Sequence, residues 1–397
     1  MNRRSFLKMG GAAVLGTGLG GCTPRLASWG GGVTPAVSLA PVLVSWDRVV
    51  RTTVGLRPHR PSGFVVRPER FDERTVIHNY GHGGAGMSLS WGTAHLATDL
   101  ALDHHERRVA VIGCGITGLT TARVLQRRGF DVTIYARELP PYTTSNMSWA
   151  GFTPNSGLVS NRTPKWDAQF RRAVEIAYRE HQLLVGRDYG VSWIYEYSPT
   201  DTPREGRGSD DDDRLLPSTV ETSAVLLDRG QHPFPTRYAL QRPTMRFEPS
   251  IYLEALMRDV LLFGGRIQVR AFDSPRDLSS LDEILVVNCT GLGAKQLFGD
   301  QELMPVKGQL TVLVPQPEID YAVGGMLPRR DGIILGHVQQ RGVWSMEVDV
   351  EERNRVMENA MRIFGSFPGG ALAEGPRSAS SLASSPPPVE SFFDRLS

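Results

Sequence analysis

The sequence predicts an α/β protein: a Rossmann-like dinucleotide-binding domain joined to a second domain built on a mixed sheet. Three observations predict it. An apolar run, Arg108–Ile112, leads into Gly113-Cys114-Gly115-Ile116-Thr117-Gly118 and then into a helical pattern over Leu119–Arg128, the strand, glycine loop and helix order of a dinucleotide-binding unit. A second apolar run, Asp131–Ala136, follows at the distance a βαβ element requires. Further on, Leu310–Val314, Gly332–Leu335 and Val343–Val348 have strand length without long helical patterns between them, which points to a second, mainly antiparallel sheet. At 397 residues the chain exceeds the roughly 250–300 at which one core usually divides, so two domains are expected.

The N-terminus does not belong to that fold. Asn2-Arg3-Arg4-Ser5-Phe6-Leu7-Lys8 precedes an uncharged run from Met9 to Gly21 and resembles a twin-arginine export signal. The run is too short and glycine-rich to span a roughly 30 Å hydrocarbon core stably. Leu19-Gly20-Gly21-Cys22 resembles a lipobox, which would make Cys22 a lipid anchor. Together they imply an exported protein, periplasmic or held at the membrane surface. Residues 23–40 read as a linker.

Strands are expected within Val42–Val54 and Gly63–Arg67, and a helix from about Ser88 to Leu102 after the glycine loop Ile77–Gly86. A helix around Trp166–Val185 precedes a charged, Pro- and Gly-bearing stretch, Thr202–Arg214, whose four aspartates read as a solvated loop. Tyr252–Phe263 is amphipathic, Ile267–Val269 and Ile284–Val287 are strand-like, and Glu351–Phe364 is a last helix. Ser378–Pro388 has too few apolar residues to order itself.

Composition removes whole classes of function. Lysine and arginine number 44 against 42 aspartate and glutamate, a net charge of +2, which excludes a dedicated nucleic-acid binder. With 40% hydrophobic and 22% charged residues, the chain is too polar for a polytopic membrane protein. Three cysteines and nine histidines, without metal-ligand spacing, offer neither a disulfide framework nor a metal site.

In the glycine loop, Gly113 would make the tight turn, Gly115 would admit a pyrophosphate to the backbone, and Gly118 would let helix and strand pack closely. The acidic residue expected about twenty positions on, to bind ribose hydroxyls, is Glu138; Arg137 beside it is a second candidate for the adenosine portion. The fingerprint alone does not choose between NAD and FAD.

Other stretches do. Val109–Gly118, Ala136–Pro140, Thr143-Thr144-Ser145 and Ala150-Gly151 resemble the first FAD-binding stretch of the D-amino-acid oxidase family of flavoproteins. Asn288–Ala294, with Thr290, resembles the second, and Pro305–Gln309 the strand entry after it. Gly55-Leu56-Arg57-Pro58, His78–Gly86 and Ser88–Gly92 resemble the two stretches by which the family is usually recognised. In the family those two stretches come last, whereas here they precede the nucleotide fingerprint, as in a circular permutation. That order requires the end of the last helix to lie near residues 41–50.

The resemblance implies FAD as cofactor and oxidative deamination of a D-amino acid to a 2-oxo acid, ammonia and H2O2. It implies Arg57 as the carboxylate anchor, a role bidentate guanidinium geometry suits. Tyr321, counted back from Pro328, falls at the place of a lid tyrosine, while Gly325 stands where a second pocket tyrosine is expected. Gly84 would accept from the substrate amine through its carbonyl, and Gly83, Gly86, Met87 and Ser88 would touch the flavin. His78 and His82 are read as fixing the glycine loop rather than as acid–base groups. The electron acceptor is O2 or a membrane quinone, the latter making a dehydrogenase of D-amino acids or secondary amines; a non-catalytic flavin-binding protein is the third reading, and Gly325 keeps it open.

The organisation expected is therefore a signal over 1–22, a linker over 23–40, substrate-domain strands over 41–77, the FAD domain over 78–160 and 251–300, the substrate domain over 161–250 and 301–365, and a tail over 366–397.

Overall fold

In the computed structural model, the described residues are 36–155, 158–202, 215–336 and 338–367. The export signal, Cys22, the four aspartates of the acidic run and all of the tail but its first two residues lie outside them. Among the described residues two sheets form.

The smaller sheet is the nucleotide half. Its strands are β2 (Val65–Phe71), β3 (Arg74–Tyr80), β4 (Arg108–Ile112), β5 (Asp131–Ala136), β9 (Arg266–Val269) and β10 (Leu285–Asn288), in the order β2-β3-β10-β4-β5-β9. All neighbours from β3 to β9 run parallel, and β2 closes one edge antiparallel. Val109 to Ile112 and Leu285 to Asn288 are buried, as parallel strands covered on both faces must be.

Helices α1 (Gly86–Leu102), α2 (Ile116–Arg127), α3 (Pro164–Leu184) and α4 (Pro249–Leu262) share one core with this sheet. Thr163 starts α3 by accepting from the Trp166 amide at 3.2 Å, with Pro164 in the first turn where its missing N–H costs nothing. Within that core the Trp91 indole donates to the Tyr252 hydroxyl at 2.6 Å, and Tyr252 donates to His181 Nδ1 at 3.4 Å. His181 Nε2 donates to the Ser88 carbonyl at 3.2 Å, so the ring is needed neutral, and burial pushes its pKa down to about 4.

The larger sheet contains β1 (Val49–His59), β6 (Val191–Thr200), β7 (Val225–Asp228), β8 (Tyr238–Phe247), β11 (Met304–Leu313), β12 (Tyr321–Val323), β13 (Met326–Arg329) and β14 (Gly332–Leu335), ordered β1-β11-β14-β13-β12-β6-β8-β7, with β15 (Gln340–Arg341) also on β11. One face packs Leu310, Val312, Ala322, Leu327 and Ile334 together. The other packs Leu313, Tyr321, Val323, Ile333 and Leu335 under α5's successor in the chain, the last helix; α5 (Gly293–Leu297) itself follows β10, and the last helix is α6 (Val350–Phe364). Met357, Phe364 and Phe367 share that core with Val42 and Val44, and Arg353 lies over the Trp46 ring at 5.6 Å. The last helix thus packs on the segment that the reversed motif order requires it to approach.

Two expectations are corrected. The strand beginning near Gly63 lies in the nucleotide sheet rather than with the substrate strands, because β2 and β3 form a hairpin whose second strand pairs in parallel with β10. Val343–Val348 is a loop: side chains of Lys307 and Gln309, not a neighbouring strand, hold its far end.

Candidate active site

A cleft of about 670 Å³ runs between the two sheets. Segments following the carboxyl ends of five parallel strands line it: 82–87 after β3, 113–117 after β4, 136–138 after β5, 270–272 after β9 and 289–293 after β10. Carboxyl ends beside a point where strand order reverses are where open α/β sheets bind nucleotides, and here β4 stands between β10 and β5. The opposite wall is Gly55–Pro58, Gly308, Leu310 and Gln339 from the larger sheet.

Each glycine of the fingerprint has its own reason. Gly113 has φ +110°, and a Cβ there would lie 2.5 Å from the Cys289 carbonyl oxygen. A Cβ on Gly118 would overlap the Gly113 carbonyl oxygen, so helix and strand could not approach. At Gly115, which precedes α2, the nearest protein atom to a Cβ is Ser145 Oγ at 3.1 Å; what needs the room lies in the cleft. That Oγ accepts from the Ile116 amide at 3.0 Å, tying 143–145 to the positive end of the helix. Arg137 and Glu138 lie exposed on the cleft wall beyond β5. Thr143, Thr144, Gly151 and Thr290 also line it. Thr290 is fixed by Asn288 Oδ1 at 2.7 Å, while Asn288 Nδ2 donates to His78 Nδ1 at 3.1 Å and His78 Nε2 to Glu69 at 3.2 Å. His82 is likewise engaged, with Thr93 at 3.0 Å, and burial lowers its pKa to about 4. Both histidines fix loops. Burial also pushes the thiols of Cys114 and Cys289 up to about 12, which leaves them poor nucleophiles.

Arg57 faces this cleft from β1. Two glycines seat it: a Cβ on Gly84 would lie 2.8 Å from Arg57 Cδ, and one on Gly308 would lie 2.8 Å from Nη2. Gly84 holds φ +106°, and the Gly83 amide donates to the Pro58 carbonyl at 2.7 Å, which pins the loop carrying Gly83, Gly84, Gly86 and Met87 against β1. Nη1 is buried with no hydrogen-bond partner, and desolvation lowers the guanidinium's pKa. A guanidinium nitrogen buried without a partner among the described residues is costly unless a ligand supplies one.

Two expected residues stand elsewhere. Tyr321 is 1% exposed, in the core under α6, and donates to the Ala40 carbonyl at 2.6 Å. Successive strand residues face opposite sides, so its neighbour Ala322 looks toward the cleft side and Tyr321 away from it. Ser88 is buried behind Met87, its hydroxyl accepting from the Thr153 amide at 2.8 Å; it braces the cleft without lining it. Trp149 was not foreseen. Its indole N–H donates to the Gly325 carbonyl at 2.9 Å and its ring lines the cleft, so the place left by the missing tyrosine has an aromatic neighbour. Its position directly before Ala150-Gly151 was the available signal.

The FAD dependent oxidoreductase family model matches residues 33–100 and 108–389. The chain belongs to that family. Relatives of this FAD-dependent oxidoreductase include the D-amino-acid oxidase of Rubrobacter xylanophilus, 26% identical over 285 residues that span 67% of this chain and 80% of that protein. The D-amino-acid oxidase of Streptomyces coelicolor is 30% identical over 263 residues, 63% and 75% of the two chains. Among solved structures, glycine oxidase from Bacillus cereus aligns with a TM-score of 0.47 and 17% identity, over 65% of this chain and 78% of that one.

FAD is the cofactor, and the cleft fits it. The space kept at Gly115, the amides opening α2 and the exposed pair Arg137–Glu138 suit a pyrophosphate and a ribose, in the positions a dinucleotide needs.

Proposed function

We propose that this oxidoreductase deaminates a D-amino acid, converting it with O2 and water to a 2-oxo acid, ammonia and H2O2. The carrying observation is Arg57: a desolvated guanidinium with an orphan Nη1, seated by two glycines and facing the cofactor cleft. The similarity to two D-amino-acid oxidases supports the D-amino-acid class.

When bound, FAD supplies the acceptor for the hydride of the substrate Cα. Arg57 holds the α-carboxylate through paired N–H donors, worth roughly 1.5–3 kcal/mol for each charge-assisted bond, and so sets which face of Cα is presented. Gly84, against Arg57, offers its carbonyl to the amine. No side chain is required as a base, in keeping with His78 and His82 being occupied by structural partners. The larger sheet supplies the wall opposite the nucleotide loops, with Gly55–Pro58, Gly308 and Leu310 lining the cleft.

Trp149 against Gly325 weighs against a decayed pocket. Anaerobic addition of a D-amino-acid panel to the purified yellow protein should bleach the flavin; bleaching by secondary amines or L-amino acids alone would overturn the reading. Peroxide release against reduction of a quinone-like dye then separates oxidase from dehydrogenase. The reading includes export by the twin-arginine route, which changing Arg3 and Arg4 to Lys should block, and a permuted chain order, supported by the packing of the last helix with Val42 and Val44.

A further inference from the structure

At the end of the nucleotide half opposite the cleft, the chain exposes three large apolar residues in a row. Where α4 ends and before β9 begins, Leu261 is 52%, Leu262 74% and Phe263 62% exposed. Folding makes no use of them, because Leu253, Leu256 and Val260, fully buried at helical spacing, already pack α4 on the core. A single apolar side chain in water needs no account; three consecutive ones do.

The turn that carries them is fixed, and its backbone is satisfied. The Phe263 amide donates to the Asp259 carbonyl at 3.0 Å, Gly264 to Leu261 at 3.0 Å and Gly265 to Val260 at 2.9 Å, with Gly264 at φ +83° closing the helix. From α2, Gln126 Nε2 donates to the Val260 and Phe263 carbonyls at 2.9 and 3.2 Å. Arg123 donates to Gln126 Oε1 at 2.6 Å, and its guanidinium lies over the Phe263 ring at 4.1 Å. Backbone groups already paired can leave bulk water at little cost, which suits this tip to an apolar medium.

The surroundings of the tip carry unmatched positive charge. Arg123, Arg127 and Arg266 are matched by Asp259 at 3.8 Å, Glu180 at 2.8 Å and Asp131 at 3.0 Å. The neighbouring joints are neutral, Arg107 and Arg108 against Asp103 and Glu106, and Arg187 against Asp188. Arg128, where α2 ends, and Arg258, one turn before Leu262, are exposed and have no ion-pair partner among the described residues. The exposed acid of α4, Glu254, stands roughly 12 Å back along the helix from Leu262.

An apolar tip beside unmatched arginines fits a bilayer surface, where hydrocarbon lies beneath anionic headgroups. A protein partner fits less well, since three side chains fall far short of the roughly 20–30 residues that each side of a standard interface supplies. No helix among the described residues is long and apolar enough to cross a membrane, so the contact is an interfacial one.

We propose that Leu261, Leu262 and Phe263 form a docking wedge that enters the headgroup boundary of an anionic phospholipid bilayer, with Arg128 and Arg258 against the phosphates. The wedge stands at the amino ends of the parallel strands and the cleft at their carboxyl ends, so the docked protein opens its cleft toward water. Docking does not depend on lipid at Cys22.

The test uses the flavin-loaded full chain with Cys22→Ser and Leu262→Cys, labelled at position 262 with nitrobenzoxadiazole; Cys114 and Cys289 are buried and stay unlabelled. Vesicles of phosphatidylcholine with phosphatidylglycerol should shift the emission to the blue and raise it about threefold, and a quencher on the lipid acyl chains should dim it. The same label placed through Ser345→Cys, at the mouth of the cleft, should not respond. Vesicles of phosphatidylcholine alone, or Arg128→Glu with Arg258→Glu, should weaken the response at least about tenfold in lipid concentration. Emission unmoved by vesicles overturns the wedge even if the protein sediments with them, because the apolar run Met9–Gly21 could then be what binds. An equal response from Ser345→Cys, indifference to phosphatidylglycerol, or a blue shift that follows protein concentration without lipid, as a second copy would give, overturns it too. Should the Leu262→Cys protein lose flavin, Leu261→Cys carries the same measurement with the same outcomes.

Discussion

The two walls of the cleft differ in how their residues come to be there. On the nucleotide wall, Gly113, Gly115 and Gly118 act within a single strand–loop–helix turn: Gly113 is required by the neighbouring strand end, Gly118 by the Gly113 carbonyl, and Gly115 by what enters the cleft. On the roof, Arg57 meets Gly84 and Gly308, and Trp149 meets Gly325, across separations only tertiary pairing creates. The nucleotide wall is thus specified by local backbone geometry and the roof by strand register, and substitutions should fail differently in each.

Gly118→Val should have the largest effect. Its side chain would overlap the Gly113 carbonyl, so α2 must move off β4, and the protein should lose both flavin and at least about 3 kcal/mol of stability. Gly115→Val sharpens the contrast: only Ser145 Oγ is near, so the fold should survive while flavin retention is lost, as absorbance and a denaturant melt would show. Equal damage from both would erase the distinction between a packing glycine and a ligand-approach glycine.

On the roof, Arg57→Leu should keep flavin and fold but slow flavin reduction about a thousandfold, roughly 4 kcal/mol of transition-state binding. Lysine should restore only part, since it lacks the fork.

His82, on the cleft loop, and His181, in the core beneath α1, have folded pKa values of about 4, below the ordinary 6.5. The unfolded chain binds these protons first, so stability is full above pH 6.5 and falls as pH drops toward 4, by ~3 kcal/mol per ring at the limit. Urea melts at pH 7.5 and 4.5 should differ in that direction; greater stability at pH 4.5 would mean the rings are charged in the fold. The smallest effect is expected for Tyr321→Phe, which deletes the bond to Ala40 and should cost ~1 kcal/mol of stability with flavin reduction retained.

Legibility in the sequence follows the same division. The strand, loop and helix around Gly113 could be read because burial on both faces and helical period are local patterns. Arg57 could be placed because its flanking glycine and proline mark it. Tyr321 could not, since linear spacing from Pro328 does not reveal which face of β12 a residue takes, and one position decides between the cleft and the core under α6. Strands β6 and β8 carry no motif, and their pairing emerges only from the assembled sheet. The segment Val343–Val348 was hidden for the opposite reason: an apolar run that looks like a strand is a loop, its far end bound by Lys307 and Gln309 from a distant strand.

The central claim, that Arg57 and not Tyr321 meets the substrate carboxylate beside the flavin, is tested by titrating benzoate into the flavin-loaded parent, Arg57→Leu and Tyr321→Phe while recording the visible spectrum. The account predicts a saturable spectral shift in the parent and in Tyr321→Phe and none in Arg57→Leu. An equal shift in Arg57→Leu, or its loss in Tyr321→Phe alone, would contradict it.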